Sequence, residues 1–393
     1  MRLVMIGDVG VVDDMVHIGD EAMFEAAHGE LTARGAAITA ISSVPEETSE
    51  RYGVDAVPRI RFDGLDRDAA EARLKAVREA AGGAATLSAD DPAREVIVAV
   101  ADADGVVIAG GGNLASTWPL HVYERAALGA IAARTDTPLV VSGQTFGPRL
   151  EGRDRGLVAG LLEGARSTRV REAASLQLAA DLGIRARLGV DDASFLGMAD
   201  DGAGSPDRHG VLVSLSLSLG GAPRDETVDR VAALVDAAAD LVGGPVRFHA
   251  HFGPHSGLEA RGDAVLHDEV RARMRTPSSV VPSGDARGAA SLARSSALLL
   301  TGRYHPAVFA APGGVPVLGL VTDEYTAVKQ RGALAHWGQD AVVPITAADT
   351  DGISRLGGLW AARDEVADEA ARRLPGHRAT TADWWDEVAS VFG

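Results

Sequence analysis

Apolar residues in this chain come in short unbroken runs that end at glycine or a small polar residue, and each run is followed by a stretch with apolar residues at helical spacing. RLVMI (2–6) stops at Gly7-Asp8; HIGDEAMFEAAHGELTARG reads as a helix, and AAITAISS is the next strand. Residues 64–83 form a surface helix closed by glycines, GVVIA (105–109) is a clear strand, and TPLVVSGQTFG (137–147) is another. Runs this apolar suit strands covered on both faces of a parallel sheet. The pattern pauses at Ala199 to His209, ADDGAGSPDRH, a polar, glycine-rich segment that reads as a linker. It resumes with VLVSLSLS, a helix from about Arg224 to Leu241, and the run SALLLTGRYHPAVFAAPGGVPVLG (296–319). The pattern predicts an α/β chain of two Rossmann-like domains, residues 1–200 and 209–356. Residues 357–393 are expected as helices, broken at Pro375-Gly376, that pack back on the body through Trp384 and Trp385.

Ligands of open α/β sheets bind beyond the carboxyl ends of strands, so the turns there hold the candidate chemistry. After the strand at 297–300, Gly302 leads into Arg303, Tyr304 and His305, which offer one fixed cation and one titratable imidazole. Gly110-Gly111-Gly112-Asn113 lets backbone approach a ligand closely, although it lacks the G-x-G-x-x-G spacing of a dinucleotide site. Gln144 lies in the turn Gly143 to Pro148. Arg169 and Arg171 flank a valine just before Ser175, with one expected toward a cleft and one toward solvent; such arginines can clamp a carboxylate or phosphate. Asp20 reads either as a helix cap or as an acceptor-binding residue. His249, His251 and His255 are close in sequence, but no H-E-x-x-H arrangement accompanies them, so they are expected to line a cleft and no metal is expected.

Composition narrows the classes. At 393 residues, 46% hydrophobic and mean hydropathy +0.05, the chain is long enough for two cores. Its 38 basic and 55 acidic residues leave a net charge of −17, which argues against a nucleic-acid or anionic-membrane surface. An anionic small substrate is still allowed where a few arginines converge. Without cysteine, disulfides and thiolate catalysis are excluded. No signal-peptide pattern and no apolar stretch of about 20 residues is seen, so a cytoplasmic location without a transmembrane segment is expected.

Six short segments recur here in a set order: His17 to Glu21, Ala109 to Asn113, Gly143 to Pro148, Val170 to Ser175, Asp191 to Phe195 and Gly302 to His305. With the VPVLGL strand and Lys329 after them, the chain resembles the polysaccharide pyruvyl transferases. It departs from their usual pattern at Gly302 in place of serine, at Tyr304 in place of an aliphatic residue, and at Pro306 in place of a small residue. The resemblance implies a GT-B-like glycosyltransferase architecture. It also implies transfer of a pyruvyl group from phosphoenolpyruvate (PEP) to two hydroxyls of a sugar or glycan, giving a ketal, with PEP as a substrate and no separate cofactor. His305, Arg303 and Arg171 would be catalytic. Asp20, Gly111, Gly112, Asn113, Gln144, Ser175, Tyr304, His251 and Lys329 would bind substrate, with the Arg169 to Ser175 segment expected to face Arg303 and His305. Two other readings are a GT-B nucleotide-sugar glycosyltransferase, for which Asp323-Glu324 is a partial candidate, and a non-catalytic protein that binds a glycan or a phosphorylated metabolite.

Overall fold

The apolar runs at 2–6, 105–109, 137–147 and 298–301 become parallel strands, whereas the run at 96–100 lies in a helix. The structure, a computed structural model, describes residues 1–199, 208–256 and 259–393, so the expected linker lies almost wholly outside the described residues. The chain divides into two compact units. The first comprises Met1–Val11, Met23–Asp192 and Ala379–Gly393; the second comprises Val12–Ala22 and Ala193–Arg378.

The strands of the first half are β1 (Arg2–Val9), β2 (Met15–His17), β3 (Ala37–Ser42), β4 (Asp55–Pro58), β5 (Gly105–Ile108), β6 (Gly111–Leu114), β7 (Leu139–Phe146), β8 (Ser167–Val170) and β9 (Arg187–Leu188). All but β2 form one parallel sheet in the order β4-β3-β1-β5-β7-β8-β9, with β6 pairing beside the end of β7. Side chains alternate between its faces. Val4, Ile6, Val106 and Ile108 belong to the core on one side, and Leu3, Met5, Val107 and Ala109 to the core on the other.

The second half supplies β10 (Val211–Ser214), β11 (Val246–His249), β12 (Phe252–Pro254), β13 (Ser278–Val281), β14 (Leu298–Thr301), β15 (Val317–Val321) and β16 (Val342–Pro344). Its parallel sheet runs β13-β11-β10-β14-β15-β16. In both sheets the winding reverses beside the first strand, between β1 and β5 in one and between β10 and β14 in the other. Those two reversals open the crevices in which such sheets bind ligands.

The unit boundaries differ from those expected in two places. Residues 12–22 go with the second unit, because β2 pairs antiparallel with β12 and Ile18 N donates to His251 O at 3.0 Å. The last residues go with the first, because Trp384, Trp385, Val388 and Phe392 complete the core around Leu3, Met5 and Val107. The terminal helix Arg363–Phe392 also runs unbroken through Pro375, where a break was expected. Among the described residues no helix is long and apolar enough to cross a membrane.

Candidate functional site

The turn after β14 sits at the reversal of the second sheet. Gly302 N donates to Ser214 O at 2.9 Å, which ties the turn to the end of β10. Thr301 Oγ1 accepts from Arg303 N at 3.0 Å, and Gln330 Nε2 donates to Arg303 O at 2.8 Å. The helix Tyr304–Ala310 starts there, with Pro306 in its first turn, where a missing N–H costs nothing. A Cβ on Gly302 would meet Ser216 N at an ordinary 3.4 Å, so the backbone does not demand glycine.

The Arg303 guanidinium is gripped from one edge. Its Nε donates to Asp263 Oδ2 at 2.8 Å and its Nη2 to Asp263 Oδ1 at 2.5 Å, while its side chain stays 28% exposed. Asp263 is fully buried and also accepts from Leu217 N at 3.1 Å and Phe252 N at 2.9 Å. A fork held this way is fixed in direction and keeps a second edge for a ligand. No local motif in the sequence marks Asp263, forty residues upstream of Arg303.

Around this pair stand His305, His251, His267, Tyr304 and Lys329, all in the second unit. The His305 ring lies 5.0 Å from that of Tyr304 and 6.0 Å from that of Phe309, and it packs so closely on the Gly19 backbone that a Cβ there would fall inside the imidazole. His251 is buried, its ring 5.9 Å from Phe309. Burial, and then the neighbouring His249, His305 and Arg303, hold its imidazole well below the usual histidine range. Lys329 Nζ lies 5.0 Å from the Tyr304 ring and donates to Tyr325 Oη at 3.2 Å. Of the three closely spaced histidines, His249 and His251 are buried with their rings 5.1 Å apart, His249 Nε2 lying 3.1 Å from Ser283 O, whereas His255 is exposed. Asp20 lies in the first turn of the helix Ile18–Ala33, two residues inside its start, so it is not the cap.

The first unit gathers the other candidates in two groups. Arg171 has no exposed side-chain surface: Nε donates to Thr145 Oγ1 at 2.8 Å and Nη1 to Asp191 Oδ2 at 2.7 Å. Arg169 is buried as well, with Nη1 at 3.5 Å from Asp192 Oδ1 and Nη2 donating to Thr381 Oγ1 at 3.0 Å. The expected split between cleft and solvent is therefore absent, because both guanidiniums are spent on buried carboxylates. Burial pushes Asp192 up to about 6 against the pull of Arg169. Ser175 is buried too, its Oγ accepting from Phe146 N at 2.7 Å.

In the second group, Gly111, Asn113 and Gln144 come together. A Cβ on Gly111 would lie 2.8 Å from Gln144 Nε2 and 3.2 Å from Asn113 Oδ1, and Gln144 Nε2 donates to Ala109 O at 2.5 Å. Gly112 is the next residue of β6. Asn113 Nδ2 donates to Asp8, a residue absent from the sequence-based candidates, which stands in the left-handed region (φ 54°) at the end of β1. A positive φ on a non-glycine residue is the signal that marks it, and it is visible only in three dimensions. Asp8, His121 and Glu124 offer ligand atoms within 4.8 Å of one another, but both carboxylates are already paired with Arg59 and Arg125.

The model of polysaccharide pyruvyl transferase matches residues 17–324. No curated protein matches the sequence. Among solved structures, the chain is similar to a UDP-GlcNAc 2-epimerase from Neisseria meningitidis bound to UDP-GlcNAc (TM-score 0.57, 11% identity, 94% of each chain covered). It is also similar to MurG of Acinetobacter baumannii (TM-score 0.55, 12% identity, 98% of this chain and 99% of that one). A third similar structure is CalG4, the calicheamicin glycosyltransferase (TM-score 0.54, 18% identity, 100% of this chain and 98% of that one). At these identities the likeness shows the fold, that of GT-B glycosyltransferases and epimerases, with two Rossmann-like domains.

Proposed function

Because this chain belongs to the polysaccharide pyruvyl transferase family, we propose that it takes phosphoenolpyruvate as donor at the Arg303–His305 turn and passes the pyruvyl group to two hydroxyls of a sugar. The observation that carries this reading is the Asp263-clamped guanidinium of Arg303 beside His305, at the reversal point of the second sheet. PEP brings a carboxylate and a phosphate, and a directed guanidinium edge with Lys329 nearby supports holding one of them. Arg171 is given a positioning role, holding the end of β8 through Asp191, and is not asked to touch the donor.

In this reaction C3 of PEP gains a proton, one sugar oxygen bonds to C2, and the C2–O bond to phosphate breaks with its electron pair leaving on phosphate. The second hydroxyl then closes the ketal at C2. One hydroxyl proton balances the new methyl group, and the other leaves with phosphate or solvent. His305 supports either proton transfer, since an imidazole can both give and take a proton. A thermal-shift experiment tests the donor. PEP should raise the Tm of the wild type and leave that of Arg303→Ala unmoved, because only ligands that bind the folded state stabilise it. A shift with UDP- or GDP-sugars and none with PEP would replace this reading with a nucleotide-sugar glycosyltransferase.

A further inference from the structure

The reversal of the first sheet also carries a built polar site, and it has no place in the donor chemistry. Asp8 at the end of β1 pairs with Arg59 Nη1 at 2.8 Å, with Arg125 Nη2 and with Asn113 Nδ2. Glu124 holds the same two arginines, at 3.1 Å from Arg59 Nε and 3.0 Å from Arg125 Nη1. Burial alone would raise the Asp8 carboxyl, but Arg125 and Arg59 outweigh it and hold the group well below the usual carboxylate range, so it is ionised at neutral pH. Arg125 Nη1, which can only donate, stands 3.3 Å from His121 Nδ1. Asp8 Oδ1 lies 3.5 Å from the same nitrogen, so Nδ1 faces the network and Nε2 is on the far side of a side chain that is 30% exposed.

Beside this network stands Trp118, 45% exposed, its ring 6.4 Å from that of His121 and nearly perpendicular to it. It is the one large aromatic among the exposed hydrophobic residues described, whereas Trp337, Trp384 and Trp385 are buried. Its backbone N–H is bonded to Ala115 O at 2.9 Å and Pro119 follows it, so the indole is carried on a fixed turn.

Two carboxylates and two guanidiniums balance in charge. An anion would find both arginines spent, and a divalent cation would have to displace both from their carboxylates. What remains attractive is a neutral molecule with hydroxyls on its edges and an apolar face for the indole, which describes a pyranose ring. We propose that Asp8, Asn113, His121 and Trp118 form the subsite for a neutral pyranosyl acceptor, Trp118 stacking on its C–H face and His121 and Asp8 reading its hydroxyls. This rests on the transfer reading above and deepens it.

Saturation-transfer NMR with the methyl pyranosides of galactose, mannose and N-acetylglucosamine tests it, alongside the PEP thermal shift on the same proteins. At least one pyranoside should receive saturation from the wild type and at least tenfold less from Trp118→Ala, a surface change that leaves the PEP shift intact; Asp8→Asn should lose the sugar as well. If PEP fails to bind while sugar binding still depends on Trp118, the donor reading falls and this one stands. Equal transfer to Trp118→Ala, or no transfer to any pyranoside at millimolar concentration, overturns it. So does stabilisation by Mn²⁺ that His121→Ala abolishes, which would make the cluster a metal site.

Discussion

His267 accepts a hydrogen bond from Leu215 N at 2.9 Å and is 1% exposed. Burial, opposed by Asp263, pushes it down to about 4. Below pH 6.5 the unfolded chain therefore takes up a proton that the folded chain refuses, and stability is lost as pH falls from about 6.5 toward 4, by on the order of 3 kcal/mol at the limit. His249 and His251, also lowered by burial, add in the same direction, while Asp192, raised to about 6, works in the opposite one. The Tm of the wild type should fall more steeply between pH 7 and 5 than that of His267→Gln, whose amide oxygen can accept the same bond; equal slopes would contradict this. Single residues were only partly legible in the sequence. The place of Arg303 and His305 at a strand end was readable, because a glycine stop after an apolar run marks such an end. Arg171 was readable only as a residue type: its burial depends on Asp191 and Thr145, brought in by other segments. Asp263 and Asp8 carry no local signal, since each acquires its partners through the fold.

At the scale of elements, the apolar runs gave the strands well, and the run before Arg303 became β14 within one residue. Short polar pieces were harder. β2, of three residues, exists because β12 offers it an edge, and nothing in its own pattern demands a strand. That pairing leads straight into the first turn of Ile18–Ala33 and brings Gly19 under the His305 ring. Gly19→Ala should therefore push the imidazole out of place, lowering kcat at least tenfold while the protein remains folded. A fully active variant would mean that the ring has room to move without consequence. Pro375 was expected to break the last helix, yet the helix passes through it. Arg373 Nη1, bonded to the carbonyls of Ala335 and His336 at 3.1 Å, and the buried Trp384 and Trp385 hold it on either side.

At the scale of the whole molecule, two sheets with the same reversal of winding each place a polar cluster at the crevice beside their first strand. One cluster has a guanidinium with an edge to spare and an imidazole against it, and the other is charge-balanced beside an exposed indole. This contrast supports an anionic donor at the first and a neutral sugar at the second. The fold was legible because parallel sheets write themselves as apolar runs, and the family because six segments kept their order. The exchange of residues 12–22 and 379–393 between the units was not, since a contact boundary leaves no mark in composition. Pyruvyl transfer is tested most directly by ³¹P NMR of PEP incubated with the protein and a mixture of pyranosides. It predicts conversion of PEP to inorganic phosphate only when sugar is present, slowed about 100-fold or more in His305→Ala, the scale of a lost acid–base group. PEP left intact by the wild type across the sugars, or phosphate released equally fast by His305→Ala, would contradict it.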